Sequence, residues 1–193
     1  MSKSNKKVVD SKTVYTAPNL KRLTAFVIDY VFVYLVLAMI ISFAKSVVDL
    51  ETANTNVQIL YYFILVLLSL AYYTLIPTLV FRGERKGQTV GKRIMGLKII
   101  RVNGTDVTFV SLLIRSLFML LGEGMVMIST LYVLEIAGLL GLPITVIGYL
   151  GTAYIMVTLV SCTIMIIRPN RQMFHDYIAN TVVILFDQKV KVQ

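Results

Sequence analysis

Residues Leu23–Phe43 read LTAFVIDYVFVYLVLAMIISF, 21 positions with one ionisable group, Asp29. A helix rises about 1.5 Å per residue, so this segment alone covers the roughly 30 Å hydrocarbon core of a bilayer. Three further stretches repeat the pattern: Val57–Phe81, Ser111–Leu134 and Ile144–Ile167, each 24 or 25 residues long and nearly free of charge. With 57% of 193 residues hydrophobic, a soluble reading would need a core larger than a chain of this size builds. The pattern predicts an all-α membrane protein with four transmembrane helices.

The formal charge of +9 does not point to nucleic acid, because the basic residues flank the spans instead of forming a folded basic face. Six precede the first span (Lys3, Lys6, Lys7, Lys12, Lys21, Arg22), seven lie between the second and third, and four follow the fourth (Arg168, Arg171, Lys189, Lys191). The other two inter-span segments hold only Lys45. A ratio of 17 to 1 predicts cytoplasmic termini and a cytoplasmic central loop in a cell membrane. The first apolar segment is too long for a typical signal-peptide core and is expected to be a retained span. Cys162, the single cysteine, is expected to be a small buried hydrophobe.

The chain divides into a basic tail over 1–20, a membrane domain over 21–187 and a short tail over 188–193. The first tail is suited to anionic lipid headgroups. Within the central loop, Gly83 and Gly87 end the second helix, and Thr89 can cap a short amphipathic helix that stops at Gly96. Leu97–Val102 and Thr105–Val110 are β-prone runs around Asn103-Gly104, which predicts a cytoplasmic β-hairpin. After Pro169, Gln172–Ala179 can form another short helix, and Thr181–Phe186 can add a third strand.

An ionisable group inside a span costs on the order of 2.5–3.5 kcal/mol by insertion scales, so the few present carry the search for function. Asp29 follows Arg22 by two helical turns, on the same face. Depth arithmetic puts Asp29 and Arg115 near one level, roughly 9 and 6 Å inside the boundary, which predicts that Asp29 contacts Arg115 or Arg22. Such a pair either fixes helix packing or tunes an ion- or proton-coupling carboxylate. Glu123 lies between Gly122 and Gly124 near the midplane. A broken helix there suits a coupling site, and close helix packing explains the glycines equally well. Thr145, Tyr149 and Thr152 share one face of the fourth span, as pathway lining or as interhelical hydrogen-bonding groups. His175-Asp176 reads as a solvated pair or helix-stabilising contact, and with one histidine in the chain a zinc site is not expected. Gly87–Arg93 fails the phosphate-loop spacing, and no nucleophile motif points to an enzyme. No cofactor is expected.

The order Arg22, Asp29, then Gly87-Gln-Thr-Val-Gly-Lys-Arg-Ile-Met-Gly-Leu-Lys-Ile99, Arg115-Ser-Leu117 and His175-Asp-Tyr-Ile-Ala-Asn-Thr-Val-Val183 resembles the RDD family of bacterial membrane proteins. That family is named for one arginine and two aspartates, and the resemblance makes Asp176 the second aspartate. Asn180 stands where relatives commonly carry glycine. The resemblance implies transport of an unidentified ligand, with sodium/proton antiport proposed for some relatives, or an accessory membrane subunit that binds a protein partner. The expected function is ion-coupled transport, with a sodium ion or proton as coupling ion and a homo-oligomer as the assembly.

Overall fold

A computed structural model of the chain describes residues 16–49, 52–81, 83–121, 127–167 and 171–186. Three helices are long and apolar enough to cross a membrane: α1 (Asn19–Val47), α2 (Thr55–Leu75, extended by a wider turn over Ile76–Val80) and α6 (Ile144–Ile167). Their mean hydropathy is 2.4, 2.1 and 2.1. Large apolar side chains such as Leu35, Met39, Leu60, Ile155 and Leu159 lie exposed along them, as expected where lipid is the solvent. The chain is a membrane protein with several apolar helices.

The third apolar stretch forms two shorter helices, α4 (Phe109–Leu121) and α5 (Met127–Leu139). Both pack on α2, one toward each end. Thr74 lies 3.4 Å from Ser116 of α4, and Tyr62 stacks on Tyr132 of α5 with ring centroids 5.8 Å apart. Glu123 and its flanking glycines lie outside the described residues.

Thr89 caps α3 (Val90–Ile94) by accepting a hydrogen bond from Lys92 N at 3.4 Å. The second short helix is α7 (Phe174–Ile178). Between them runs β1 (Leu97–Arg101), and β2 (Thr181–Leu185) closes the described chain. The sheet differs from the expected hairpin. β1 pairs antiparallel with β2, from Leu97 opposite Leu185 to Arg101 opposite Thr181, while the stretch after Asn103-Gly104 makes one bridge, Ile100 to Asp106. The reason is a competing local signal. Thr108 and Ser111 cap each other's backbone N–H groups at 3.1 and 3.2 Å, starting α4 inside the run that would have been the second strand.

Two apolar cores result. One lies between the helices around Leu37, Leu65, Tyr73 and Leu120, and the other lies under the sheet around Ala25, Leu97, Ile99, Leu112 and Val183. The sheet closes one end of the bundle. Thr16 bridges to Ile184 on the free edge of β2, so the start and finish of the described chain meet there. Gly87 pins this layer to α2 by donating to the Pro77 carbonyl at 2.8 Å and accepting from Ile99 N at 2.9 Å. Its φ is +88°, and a Cβ there would run into the Ile99 carbonyl oxygen, so only glycine fits. Asn180, at φ +51°, makes the left-handed turn from α7 into β2. Asparagine tolerates this region better than other side chains do, which accounts for asparagine at a position where glycine is the natural choice.

Candidate functional site

Asp29 and Asp176 are both buried, at 0% and 1% exposure, and each is held by donors from other elements. One oxygen of Asp29 accepts from Tyr72 OH at 2.5 Å and from Gly91 N at 2.7 Å. The other accepts from Thr89 Oγ1 at 2.5 Å, with Lys92 Nζ 3.6 Å away. Gly91 N is one of the N–H groups that a helix start leaves unpaired, so α1 caps α3 through Asp29. The approach requires glycine: a Cβ on Gly91 would strike the Ala25 carbonyl and come 2.9 Å from the Asp29 carboxyl carbon.

Asp176 belongs to a second group. Arg115 Nη1 lies 2.9 Å from its Oδ1, Thr181 Oγ1 donates to the same oxygen at 3.2 Å, and Arg22 Nη1 is 3.9 Å from Oδ2. Burial pushes the Asp176 carboxyl up, but Arg115, with Arg22 behind it, outweighs burial and holds the group below the usual aspartate value. Arg22 also donates to the carbonyls of Arg171 and of Val183, the latter at 2.8 Å, tying the start of α1 to β2. Arg115 Nη2 lies 3.0 Å from His175 Nε2. A guanidinium has no acceptor, so Nε2 must accept and the proton of the neutral ring sits on Nδ1.

Lys92 lies between the two groups. Its electrostatic neighbours are Asp29, Arg115 and Asp176, and burial, with Arg115 adding to it, lowers its pKa against the two aspartates. The excess of charge is positive: Arg22, Lys92 and Arg115 against Asp29 and Asp176. A partly enclosed cavity of about 50 Å³ opens among them, with Arg22, Lys92, Arg115, His175 and Asp176 as its polar lining.

Four expected residues, Arg22, Asp29, Arg115 and Asp176, thus converge at the sheet end, but the pairing differs from expectation. Asp29 takes Lys92, and Arg115 and Arg22 take Asp176. Matching depth did not make Asp29 and Arg115 partners, because α3 comes in against α1 at that level and supplies the donors. His175 and Asp176 are buried parts of the network, not a solvated pair. Thr145, Tyr149 and Thr152 face outward, Tyr149 with 76% of its surface exposed. α6 leans on α5 through Ile147 and Gly151, and Thr152 bonds its own helix at Gly148 O, 2.9 Å away. Sequence reasoning missed Tyr72, Thr89, Gly91 and Lys92 as partners of Asp29. The available signal was the cap residue itself, since a helix start needs an acceptor and Asp29 is the nearby buried one.

No curated protein and no solved structure matches the chain significantly. The model of the RDD family matches residues 16–180, a span that holds the arginine, both aspartates, Lys92, Arg115 and His175, and the chain belongs to that family.

Proposed function

We propose that this protein is an ion-coupled membrane transporter whose coupling element is the Arg22–Arg115–His175–Asp176 group. The observation that carries the reading is the 3.0 Å contact between Arg115 Nη2 and His175 Nε2. Protonation of Nε2 would set two donors against each other. The imidazolium would then be drawn to Asp176 Oδ1, already 3.7 Å away, in competition with Arg115. Binding one proton thereby repartitions an ion pair joining α4, α7 and α1. Buried ionisable groups of this kind in a membrane protein usually mark an ion pathway or relay. Proton coupling is favoured over direct sodium coordination, because each carboxylate already has a cation within 4.0 Å.

In this reading α4 and α5 together make one crossing, so the chain spans four times. The sheet end, carrying the basic central loop, faces the cytoplasm of a bacterial cell. Cysteines placed at Asn54 and Asn103 in a Cys162→Ser background test this orientation: an impermeant thiol reagent on intact cells labels the first and spares the second, and the reverse pattern contradicts it.

The rival reading, a non-transporting accessory subunit or a protomer of a homo-oligomer, draws support from α6. Only 6% of its apolar window is buried within the chain, leaving a long face for another transmembrane helix. Proton flux by purified protein in proteoliposomes, with sodium, potassium or choline as counter-ion, separates the two. A transporter gives cation-dependent flux, and an accessory subunit gives none.

A further inference from the structure

The cavity at the sheet end carries charge that the chain does not balance. Arg22, Lys92 and Arg115 line it, and Asp176 is the one carboxylate in the lining. Asp29 lies behind α3 with its donors in place. The Arg22 and Arg115 side chains are 9% and 7% exposed. Even so, Arg22 Nε and Arg115 Nη1 find no aligned hydrogen-bond acceptor among the described residues, although Nη1 lies close to Asp176. Buried guanidinium N–H groups without acceptors are costly, and such groups usually mark a bound water or ion.

We propose that this cavity is a binding site for a small monovalent anion of chloride's size, held by Arg22, Arg115 and Lys92. A volume of about 50 Å³ is several times the roughly 10–15 Å³ that one water needs, so an ion fits with or without a water. Water alone would satisfy the donors but leave the excess positive charge. An anion does both, and it gains from the apolar walls of Phe26, Met119 and Val183, which keep the local dielectric low. The site does not rest on transport: it holds equally for a coupled carrier and for an accessory subunit, with the anion serving as the keystone between α1, α3 and α4.

The test uses the purified full-length chain in uncharged detergent. Thermal stability and ³⁵Cl line width are followed as chloride replaces gluconate at constant ionic strength, with phosphate and phosphatidylglycerol nanodiscs as further arms. The site predicts saturable stabilisation by chloride, saturable line broadening displaced by bromide, and neither effect from gluconate. Arg22→Lys keeps the charge but removes Nε, so it should weaken the apparent affinity about tenfold, as expected for one charge-assisted hydrogen bond. If that variant does not fold, bromide displacement in the wild type decides alone. Equal behaviour in chloride and gluconate, unsaturable broadening, or unchanged affinity in a folded Arg22→Lys would overturn the proposal. Stabilisation by phosphate or phosphatidylglycerol without chloride would also overturn it, because the ligand would then be a phosphate group.

Discussion

Asp29 and Asp176 are equally buried and one charge network apart, yet they are neutralised in opposite ways. Asp29 is held by Tyr72, Thr89, Gly91 N and one lysine, all from α2 and α3 or the cap between them. Asp176 is held by two arginines, from α1 and α4, and by Thr181 of β2, with His175 beside it on α7. A carboxylate fixed by a tyrosine, a threonine, a backbone N–H and a single lysine is a clamp, since three of its four donors carry no charge that a proton could change. One shared between two arginines from distant elements, with a histidine beside it on its own helix, can redistribute its bonds when that histidine changes charge. Under the proposed function, the difference gives fold maintenance to the first aspartate and switching to the second.

The largest expected effect is on Asp176→Ala, which strands two buried guanidinium groups. Breaking a buried pair costs about 3–5 kcal/mol, and stability measured by thermal unfolding in detergent should fall at least that far. Asp29→Ala strands Lys92 and should cost about the same, but here one further change helps: Asp29→Ala with Lys92→Met should recover much of the loss. No single substitution should rescue Asp176→Ala. If Arg115→Leu rescues Asp29→Ala better than Lys92→Met does, the division between the two sites is wrong.

A smaller loss is expected from Gly91→Ala. Its methyl group meets the Ala25 backbone and the Asp29 carboxyl, and overpacking of this kind costs about 1–3 kcal/mol. Reconstituted protein that is as stable as wild type would show that α3 is not clamped to α1. Acid should act on the Asp176 side. A carboxylate held below its ordinary value of 3.8 contributes stability that is present above that value and is lost as the pH falls through the lower folded value. Unfolding followed from pH 6 downward should therefore show an acid loss that is reduced in Asp176→Asn. The smallest effect belongs to Asn180, at φ +51°: Asn180→Ala should cost about 1 kcal/mol, and Asn180→Gly should be neutral or slightly stabilising.

Much of this arrangement was legible in the sequence, and what escaped shares one physical cause. Three of the four expected long helices, the Thr89 cap, the short helix at His175 and the strand after Asn180 all follow from local periodicity, caps and turns. Which residues pair across the fold does not. Arg101 meets Thr181 although 80 positions separate them in the chain, and the Asn103-Gly104 turn signal lost to the Thr108–Ser111 cap just beyond it. In the same way, helical rise placed Asp29 and Arg115 toward the same end of the bundle but carried no information about which neighbour stands beside each. The outward turn of Tyr149 and Thr152 has a similar origin. A helix that is apolar all round offers no pattern from which its buried face can be read.

In the proposed function the Asp176 group, through His175, couples proton binding to transport. The most direct measurement is proton flux across a pH series in proteoliposomes containing wild type or His175→Gln. Glutamine can still accept from Arg115 but binds no proton. The account predicts a variant that folds and incorporates normally while its cation-dependent proton flux is abolished or no longer varies with pH. Full flux with the wild-type pH dependence in His175→Gln would contradict it.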